Sequence, residues 1–265
     1  MKFSALFGWF EGSYENRIKA ASEAGFRAFE NLDWVNYDLD AIAPVLKEYS
    51  FTSTALFCRS ADEEVSKMVT WRHGMVWEDS IPYIVQAFKE TAEAAKKLGT
   101  PTVVMITGDE RSEVSREVQA ENCVKALRTV APIAEDAGLT VALEPLNRLV
   151  DHRGYFLNRS DEAFRIIKEV DSPAVKVLFD VYHQQITEGN LIRNITENID
   201  LIGHMHIADN PGRNEPGSGE INYPNVLSAI KSSGYGGWIA FECGNTEPPA
   251  VVAEKMRRMT MPFED

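Results

Sequence analysis

The sequence predicts an α/β chain closed into a (β/α)8 TIM barrel, a single domain over residues 1–265. Three observations carry that prediction. Short apolar runs alternate strictly with longer helix-like stretches, the pattern of a parallel sheet. About eight such runs occur, the number at which a parallel sheet closes on itself. The length of 265 residues suits one closed barrel better than two domains.

The strand-like runs fall at residues 3–7, 27–30, 51–57, 102–106, 140–144, 175–180, 201–207 and 238–242. Helical patterns lie between them at 14–24, 39–49, 81–98, 114–137, 160–170, 190–195 and 223–232. In the stretch 114–137, Val118, Val124, Leu127, Val130 and Ile133 recur with a largely helical period. Glycine marks the helix ends: Gly25, Gly99, Gly138 and Gly234 stand just before the second, fourth, fifth and eighth strands. A glycine there takes the left-handed conformation without Cβ strain. An open, doubly wound sheet is the competing architecture. It usually carries a glycine-rich phosphate loop after strand one, and Gly8-Trp9-Phe10-Glu11-Gly12 lacks that fingerprint. Residues 58–80 form the longest irregular segment, expected to cover the barrel mouth or to contact a partner.

Composition removes several classes of function. The formal net charge of −13 is spread along the chain, so no basic face offers itself to DNA or RNA. Apolar runs such as 103–106 are far too short to span a bilayer. Met1-Lys2-Phe3 leads straight into a strand-like run with no signal-peptide pattern. Cys58, Cys123 and Cys243 form neither a disulfide framework nor a zinc-finger spacing, which points to a reduced, cytoplasmic setting.

The ionisable residues are the informative ones. Runs two, five, six and eight end in Glu30, Glu144, Asp180 and Glu242, and run seven carries His204 and His206. In this fold the C-terminal strand ends converge on the active site. One such carboxylate alone is usually a helix cap or a salt-bridge partner. Glu144, Asp180 and Glu242 together crowd three negative charges beside His206, which is unfavourable unless a cation sits among them. An oxygen-rich donor set with one imidazole and no cysteine suits Mn²⁺, Mg²⁺ or Co²⁺ better than structural zinc. His204 and His206 share one face of their strand, because side chains alternate with a period of two. A strand histidine is often a satisfied core residue. His206 is the preferred ligand because it lies nearer the strand end, and His204 keeps a supporting role.

The sequence resembles the hydroxypyruvate isomerase family, within the xylose-isomerase-like barrels that also include ketose 3-epimerases and endonuclease IV. The matching stretches are Val141-Ala142-Leu143-Glu144-Pro145-Leu146-Asn147, Gly154-Tyr155-Phe156-Leu157, Phe179-Asp180-Val181-Tyr182-His183-Gln184-Gln185-Ile186 and Gly203-His204-Met205-His206-Ile207-Ala208. Pro211-Gly212-Arg213-Asn214-Glu215-Pro216, Gly219-Glu220-Ile221-Asn222-Tyr223 and Gly234-Tyr235-Gly236-Gly237-Trp238 continue the match. The match is strong over residues 140–242 and weaker but collinear before them. The resemblance implies that Glu144, Asp180, His206 and Glu242 ligate one divalent metal ion. It implies that Glu144 and Glu242 transfer the proton, and that His183 and Arg213 hold substrate oxygens.

This chain also departs from that pattern. Many hydroxypyruvate isomerases carry Gln at the strand-seven ligand position, whereas ketose 3-epimerases carry His, as here. Cys243-Gly244-Asn245 replaces the usual Tyr and Lys-Pro, and Trp71-Arg72-His73-Gly74-Met75-Val76-Trp77 replaces the expected Gly-Arg-Glu loop. The expected reaction interconverts a small hydroxy-ketone and hydroxy-aldehyde, of the hydroxypyruvate and tartronate semialdehyde type, by proton transfer through an enediolate. A ketose 3-epimerase or related isomerase of a neutral sugar is the alternative. Arg213 divides the two: it either receives the carboxylate of a small oxo-acid or pairs with Glu215 or Glu220 to shape its loop. Oligomers are common in this fold family, so a homo-oligomer is expected. A repair endonuclease needs about three metals, more histidines and a basic face, which five histidines and a charge of −13 do not supply. A degenerate sugar-binding barrel would not retain every ligand.

Overall fold

The computed structural model describes residues 1–30 and 32–264. Its strands are β1 (Lys2–Leu6), β2 (Ala28–Glu30), β3 (Thr52–Ser53), β4 (Ala55–Phe57), β5 (Thr102–Met105), β6 (Thr140–Leu143), β7 (Val175–Asp180), β8 (Ile202–Ile207) and β9 (Trp238–Phe241). Every paired neighbour runs parallel, in the order β3-β2-β1-β9-β8-β7-β6-β5-β4. The two ends of that order are β3 and β4, which only Thr54 separates. They are one stave of the barrel, so the sheet closes into eight staves and the fold is a single-domain TIM barrel. Strands covered on both faces are expected to be continuously apolar. Val103, Val104, Val141, Ala142, Val177 and Leu178 are buried accordingly.

The helices are α1 (Tyr14–Glu23), α2 (Leu39–Glu48), α3 (Glu63–Val69), α4 (Ile81–Leu98), α5 (Arg116–Ala137), α6 (Ser160–Val170), α7 (Val181–Thr187), α8 (Leu191–Glu197), α9 (Tyr223–Ser232) and α10 (Pro249–Thr260). Gly99 and Gly138 end α4 and α5 with φ of 69° and 67°, the left-handed caps their positions predict. Ser115 starts α5 by accepting a hydrogen bond from the Val118 N–H, which moves the helix start two residues past the periodic pattern. Val118 itself is exposed, since it lies in the first turn and faces outward.

Three features differ from the sequence expectation. The third strand breaks at Thr54, whose hydroxyl turns into the barrel and donates to Glu30 Oε2 at 2.9 Å. The segment 58–80 is not irregular: Asp62 caps α3 with its side chain, and short 3-10 turns follow at Gly74–Val76 and Glu78–Ser80. Its backbone is fastened to the barrel, with Val76 N–H donating to Thr107 O at 3.1 Å and Asp109 N–H to Trp71 O at 2.6 Å. Gly108 permits that approach, because a Cβ there would stand 1.7 Å from His73 O. Lastly, α7 and α10 have no counterpart in the periodic pattern. The first begins directly at the end of β7, and the second begins on Pro248-Pro249.

Among the described residues, no helix is long and apolar enough to cross a membrane.

Candidate active site and metal centre

Parallel pairing brings the carboxyl ends of β6 to β9 to one rim, and the ionisable residues follow. Asp180 closes β7, His206 sits in β8, and Glu144 and Glu242 stand one residue past β6 and β9. One donor atom from each of the four lies within 4.8 Å of the others. His206 Nδ1 is 3.0 Å from Glu242 Oε2 and 3.6 Å from Glu144 Oε1.

Each of these side chains is held by its neighbours on one side and left open on the other. Asp180 Oδ1 accepts from the N–H groups of Tyr182 and His183 at the start of α7, at 2.8 and 3.3 Å. Asp180 is therefore both the helix cap and a site residue, because its second oxygen points away from the cap. Tyr155, from the Gly154-Tyr155-Phe156-Leu157 stretch, donates its hydroxyl to Glu144 O at 2.8 Å and fixes the backbone there. Glu144 Oε1, Asp180 Oδ2 and His206 Nδ1 are buried without a hydrogen-bond partner among the described residues. Buried polar atoms seldom go unpaired, and three of them facing one point form a socket for a cation. Donors about 2.0–2.2 Å from a divalent ion lie at most about 4.4 Å apart, and the 3.0 and 3.6 Å from His206 Nδ1 to Glu242 and Glu144 fall inside that span. The residues present fit a metal ion.

Glu30 carries the second layer. Its Oε1 is 2.7 Å from His206 Nε2 and its Oε2 is 2.8 Å from His204 Nε2. Those are hydrogen-bond lengths, with no room for an ion between the groups. The carboxylate therefore sets Nε2 as the protonated nitrogen of His206 and leaves Nδ1 as a lone-pair donor towards the cluster. Burial works against charge on Glu30, but His204 and His206 outweigh it and hold the carboxyl far below the usual range. Burial likewise opposes charge on His206, yet Glu30, Glu242 and Glu144 push its pKa well above the ordinary imidazole value.

His183 points the same way from α7. Its Nδ1 accepts from the Asn147 side-chain amide at 2.7 Å, so Nε2 carries the proton, 3.4 Å from Asp180 Oδ2. Burial pushes its pKa down to about 4, with Arg213 adding to that and Asp180 opposing it, so the ring is neutral.

Arg213 lies on the loop after β8. Asp209 knots that loop by accepting from the N–H groups of Asn210, Gly217 and Ile221. Neither loop partner considered for Arg213 takes it: Glu215 binds Thr246, and Glu220 binds the Asn210 side chain. Arg213 Nη2 instead donates to Glu242 Oε2 at 2.8 Å and stands 3.8 Å from Asp180 Oδ2. Its backbone is in the left-handed region at φ 53°, a strained state for a non-glycine residue that the surrounding loop imposes.

Two members of the cluster, Glu144 and Glu242, line a cavity of about 230 Å³. Glu144, Glu242 and Arg213 line it on one side, and Leu32, Phe57 and Ile106 on the other. Trp71 and His152 stand at its edge. The sequence reading singled out neither the apolar wall nor this pair. The departure of residues 71–77 from the expected loop was the available signal for Trp71. Glu30 is legible in the sequence as a strand end, and the shared face of His204 and His206 is the signal for its role.

A model of the xylose isomerase-like TIM barrel family matches residues 18–260. The chain belongs to that family. Among its relatives in the family is the hydroxypyruvate isomerase of Escherichia coli (strain K12), 30% identical over 248 residues. That match covers 91% of this chain and 93% of that enzyme. The 2-oxo-tetronate isomerase of Cupriavidus necator is 33% identical over 236 residues, covering 88% of this chain and 87% of that one. A solved structure described as an AP endonuclease, family 2, from Brucella melitensis superposes with a TM-score of 0.85 at 28% identity, over 100% and 99% of the two chains. With these isomerase relatives along nine-tenths of its length, the protein is an enzyme of the isomerase type.

Proposed function

We propose that the protein is a metal-dependent isomerase that interconverts a small hydroxy-ketone and hydroxy-aldehyde bearing a carboxylate, of the hydroxypyruvate and tartronate semialdehyde type. The observation that carries this reading is the convergence of Glu144 Oε1, Asp180 Oδ2 and His206 Nδ1, all buried and unpartnered, beneath Arg213. Glu144, Asp180, His206 and Glu242 would hold one divalent ion, Mn²⁺, Mg²⁺ or Co²⁺ by the oxygen-rich donor set. Such an ion supplies positive charge to the carbonyl and neighbouring hydroxyl oxygens, where negative charge develops in the enediolate.

The chain's own groups do the rest. The two glutamates differ in environment. Burial pushes the Glu144 carboxyl up, and it prevails over the nearby His206. Burial also opposes charge on Glu242, but His206 and Arg213 prevail and hold that carboxyl down, to about 2. Standing on different strands, the two carboxyls can act from either side of the substrate as the proton-transferring pair. Glu242 takes the proton from the carbon beside the carbonyl, breaking the C–H bond. Glu144 delivers a proton to the former carbonyl carbon, while the hydroxyl proton shifts to the other oxygen. His183 Nε2–H orients an oxygen near Asp180. Arg213 presents a planar, permanently charged fork that suits the substrate carboxylate.

The test is a panel of hydroxypyruvate, tartronate semialdehyde, free ketoses and inososes, run in D2O with each of the three metals. Turnover of the oxo-acids with deuterium on the product carbon is expected. Product without deuterium would favour a hydride shift and leave the glutamates as ligands only. His206, the residue type of ketose 3-epimerases at this position, favours a second reading as an epimerase of neutral ketoses. Turnover confined to neutral ketoses would select that reading.

A further inference from the structure

We infer that His152 reads a hydroxyl group of the substrate beyond the two reacting carbons, so that the enzyme prefers a chain of four or more carbons to a three-carbon one. This rests on the isomerase reading of the same site and specifies which members of that substrate class it takes.

Four side chains lead outward from the cluster in order. His183 Nε2 is 3.4 Å from Asp180 Oδ2. The His152 ring lies edge-on to His183, with centroids 5.2 Å apart. Trp71 stacks on His152, with centroids 5.1 Å apart and the rings 5° from parallel. Exposure rises along the series, from buried Asp180 and His183 through half-buried His152 to Trp71 at 43%. A substrate atom that touches His152 therefore lies one ring further from the cluster than an atom that touches His183. A step of 5.2 Å is about the span of four zigzag bonds of about 1.5 Å each, the path from a carbonyl oxygen to the hydroxyl oxygen two carbons further along the chain. A three-carbon acid placed with its reacting carbons over Glu144 and Glu242 has no atom left to reach that far.

The ring is placed firmly and left unused. Asn147 Oδ1 accepts from the N–H groups of Val150 and Asp151, and His152 O accepts from Tyr155 N–H, which fixes the loop. Trp71 is fixed through its own carbonyl by Asp109 N–H. Yet neither nitrogen of His152 has a hydrogen-bond partner among the described residues, although the ring lines the cavity. Burial, with Arg213 nearby, lowers its pKa, so the ring is neutral. A neutral imidazole offers one donor and one acceptor, which is the complement of a hydroxyl. A second carboxylate would instead call for a free cation, and Arg59, the other cation lining the cavity among the described residues, is paired with Asp33 at 2.8 Å.

The test compares kcat/KM for hydroxypyruvate and for its four-carbon homologue 2-oxo-tetronate, in metal-loaded wild type, His152→Phe and His152→Asn. Phenylalanine keeps the stack on Trp71 and loses both polar atoms, whereas asparagine keeps a donor and an acceptor. In the wild type, the four-carbon acid is expected to be preferred. In His152→Phe, that preference should fall at least tenfold, mainly through KM, and His152→Asn should restore part of it. An unchanged preference in His152→Phe, with both substrates losing alike, would make His152 a packing spacer and overturn the inference. If only neutral ketoses are turned over, the oxo-acid reading fails, and the same ratio taken between short and long ketoses decides for or against His152.

Discussion

The two halves of the barrel mouth are built differently. Strands β6 to β9 deliver Glu144, Asp180, His206 and Glu242, a charged residue at each stave. Strands β1 to β5 deliver a mainly apolar wall, with Leu32, Phe57 and Ile106 facing the same cavity beside the paired charges of Asp33 and Arg59. Among the described residues, the one buried carboxylate on that side, Glu30, does not line the cavity. It reaches across the barrel interior to His204 and His206. The charged half fixes what chemistry is possible. The apolar half, with the segment that carries Trp71, fixes the shape in which a substrate must fit. A lost charge in the first half should therefore stop the reaction for every substrate. A change in the second half should alter the ranking among substrates.

The largest effect is expected at Asp180. In Asp180→Asn the remaining oxygen can still accept from Tyr182 and His183 N–H, so the cap on α7 survives. Only the charge facing the cluster is lost. Metal content after dialysis should drop from about one ion per chain to a small fraction, with kcat/KM down by about a thousandfold or more for all substrates. Elemental analysis of the purified variant checks this, and undiminished metal would remove Asp180 from the site. Glu242→Gln comes next. It should lower kcat by about 10²–10⁴, as loss of a positioned base does. Rates at saturating metal separate that loss from weaker metal binding.

These residues were legible because of an energetic contradiction. Charged side chains ending apolar strands need partners, and the sequence near them offers none. Glu30 presents the same signal, but its role is not legible locally, because its partners His204 and His206 lie across the barrel, more than 170 positions along the chain. The apolar wall gave no signal at all, since Phe57 or Ile106 at a strand end is what the core also requires. Arg213 was legible as a mouth residue, but its ion pair with Glu242 depends on a left-handed backbone that local sequence does not announce. The strand alternation and the glycine caps at Gly99 and Gly138 reported the barrel faithfully. Thr54 and α7 escaped because each departs from periodicity for a local reason, a hydroxyl turned to Glu30 and a helix begun at the last strand residue.

Arg213 tests where the two halves meet. Arg213→Met should cost about 1.5–3 kcal/mol in kcat/KM for an oxo-acid, the worth of a charge-assisted contact. It should change little for a neutral ketose of similar size. Metal affinity should not fall, since the change removes a cation that stands 2.8 Å from Glu242 and 3.8 Å from Asp180. Equal losses for acid and ketose would assign Arg213 to its loop and shift the substrate to a neutral sugar.

The smallest effect is expected at Glu30, and its pH dependence identifies it. Glu30→Gln leaves an oxygen for one histidine but no acceptor for the other. Loss of such a supporting carboxylate typically costs about 10–100-fold in metal affinity, and the low end is expected here. Glu30, with Glu242 and Glu144, holds the His206 pKa well above its ordinary value against the effect of burial. Below that raised pKa the imidazole is protonated, and a metal ion must displace its proton to bind. Wild-type affinity should therefore rise by about tenfold per pH unit from this proton alone, and level off only above the raised pKa. Without the Glu30 charge, the His206 pKa falls and the variant levels off earlier. The deficit of Glu30→Gln should thus be widest at alkaline pH and close towards neutrality, where the wild type still competes with its own proton. Metal titrations followed calorimetrically between pH 6 and 9 measure both curves. A deficit that stays constant across that range would show that Glu30 orients His206 without charging it, and no deficit at any pH would make it a core residue that merely happens to lie nearby.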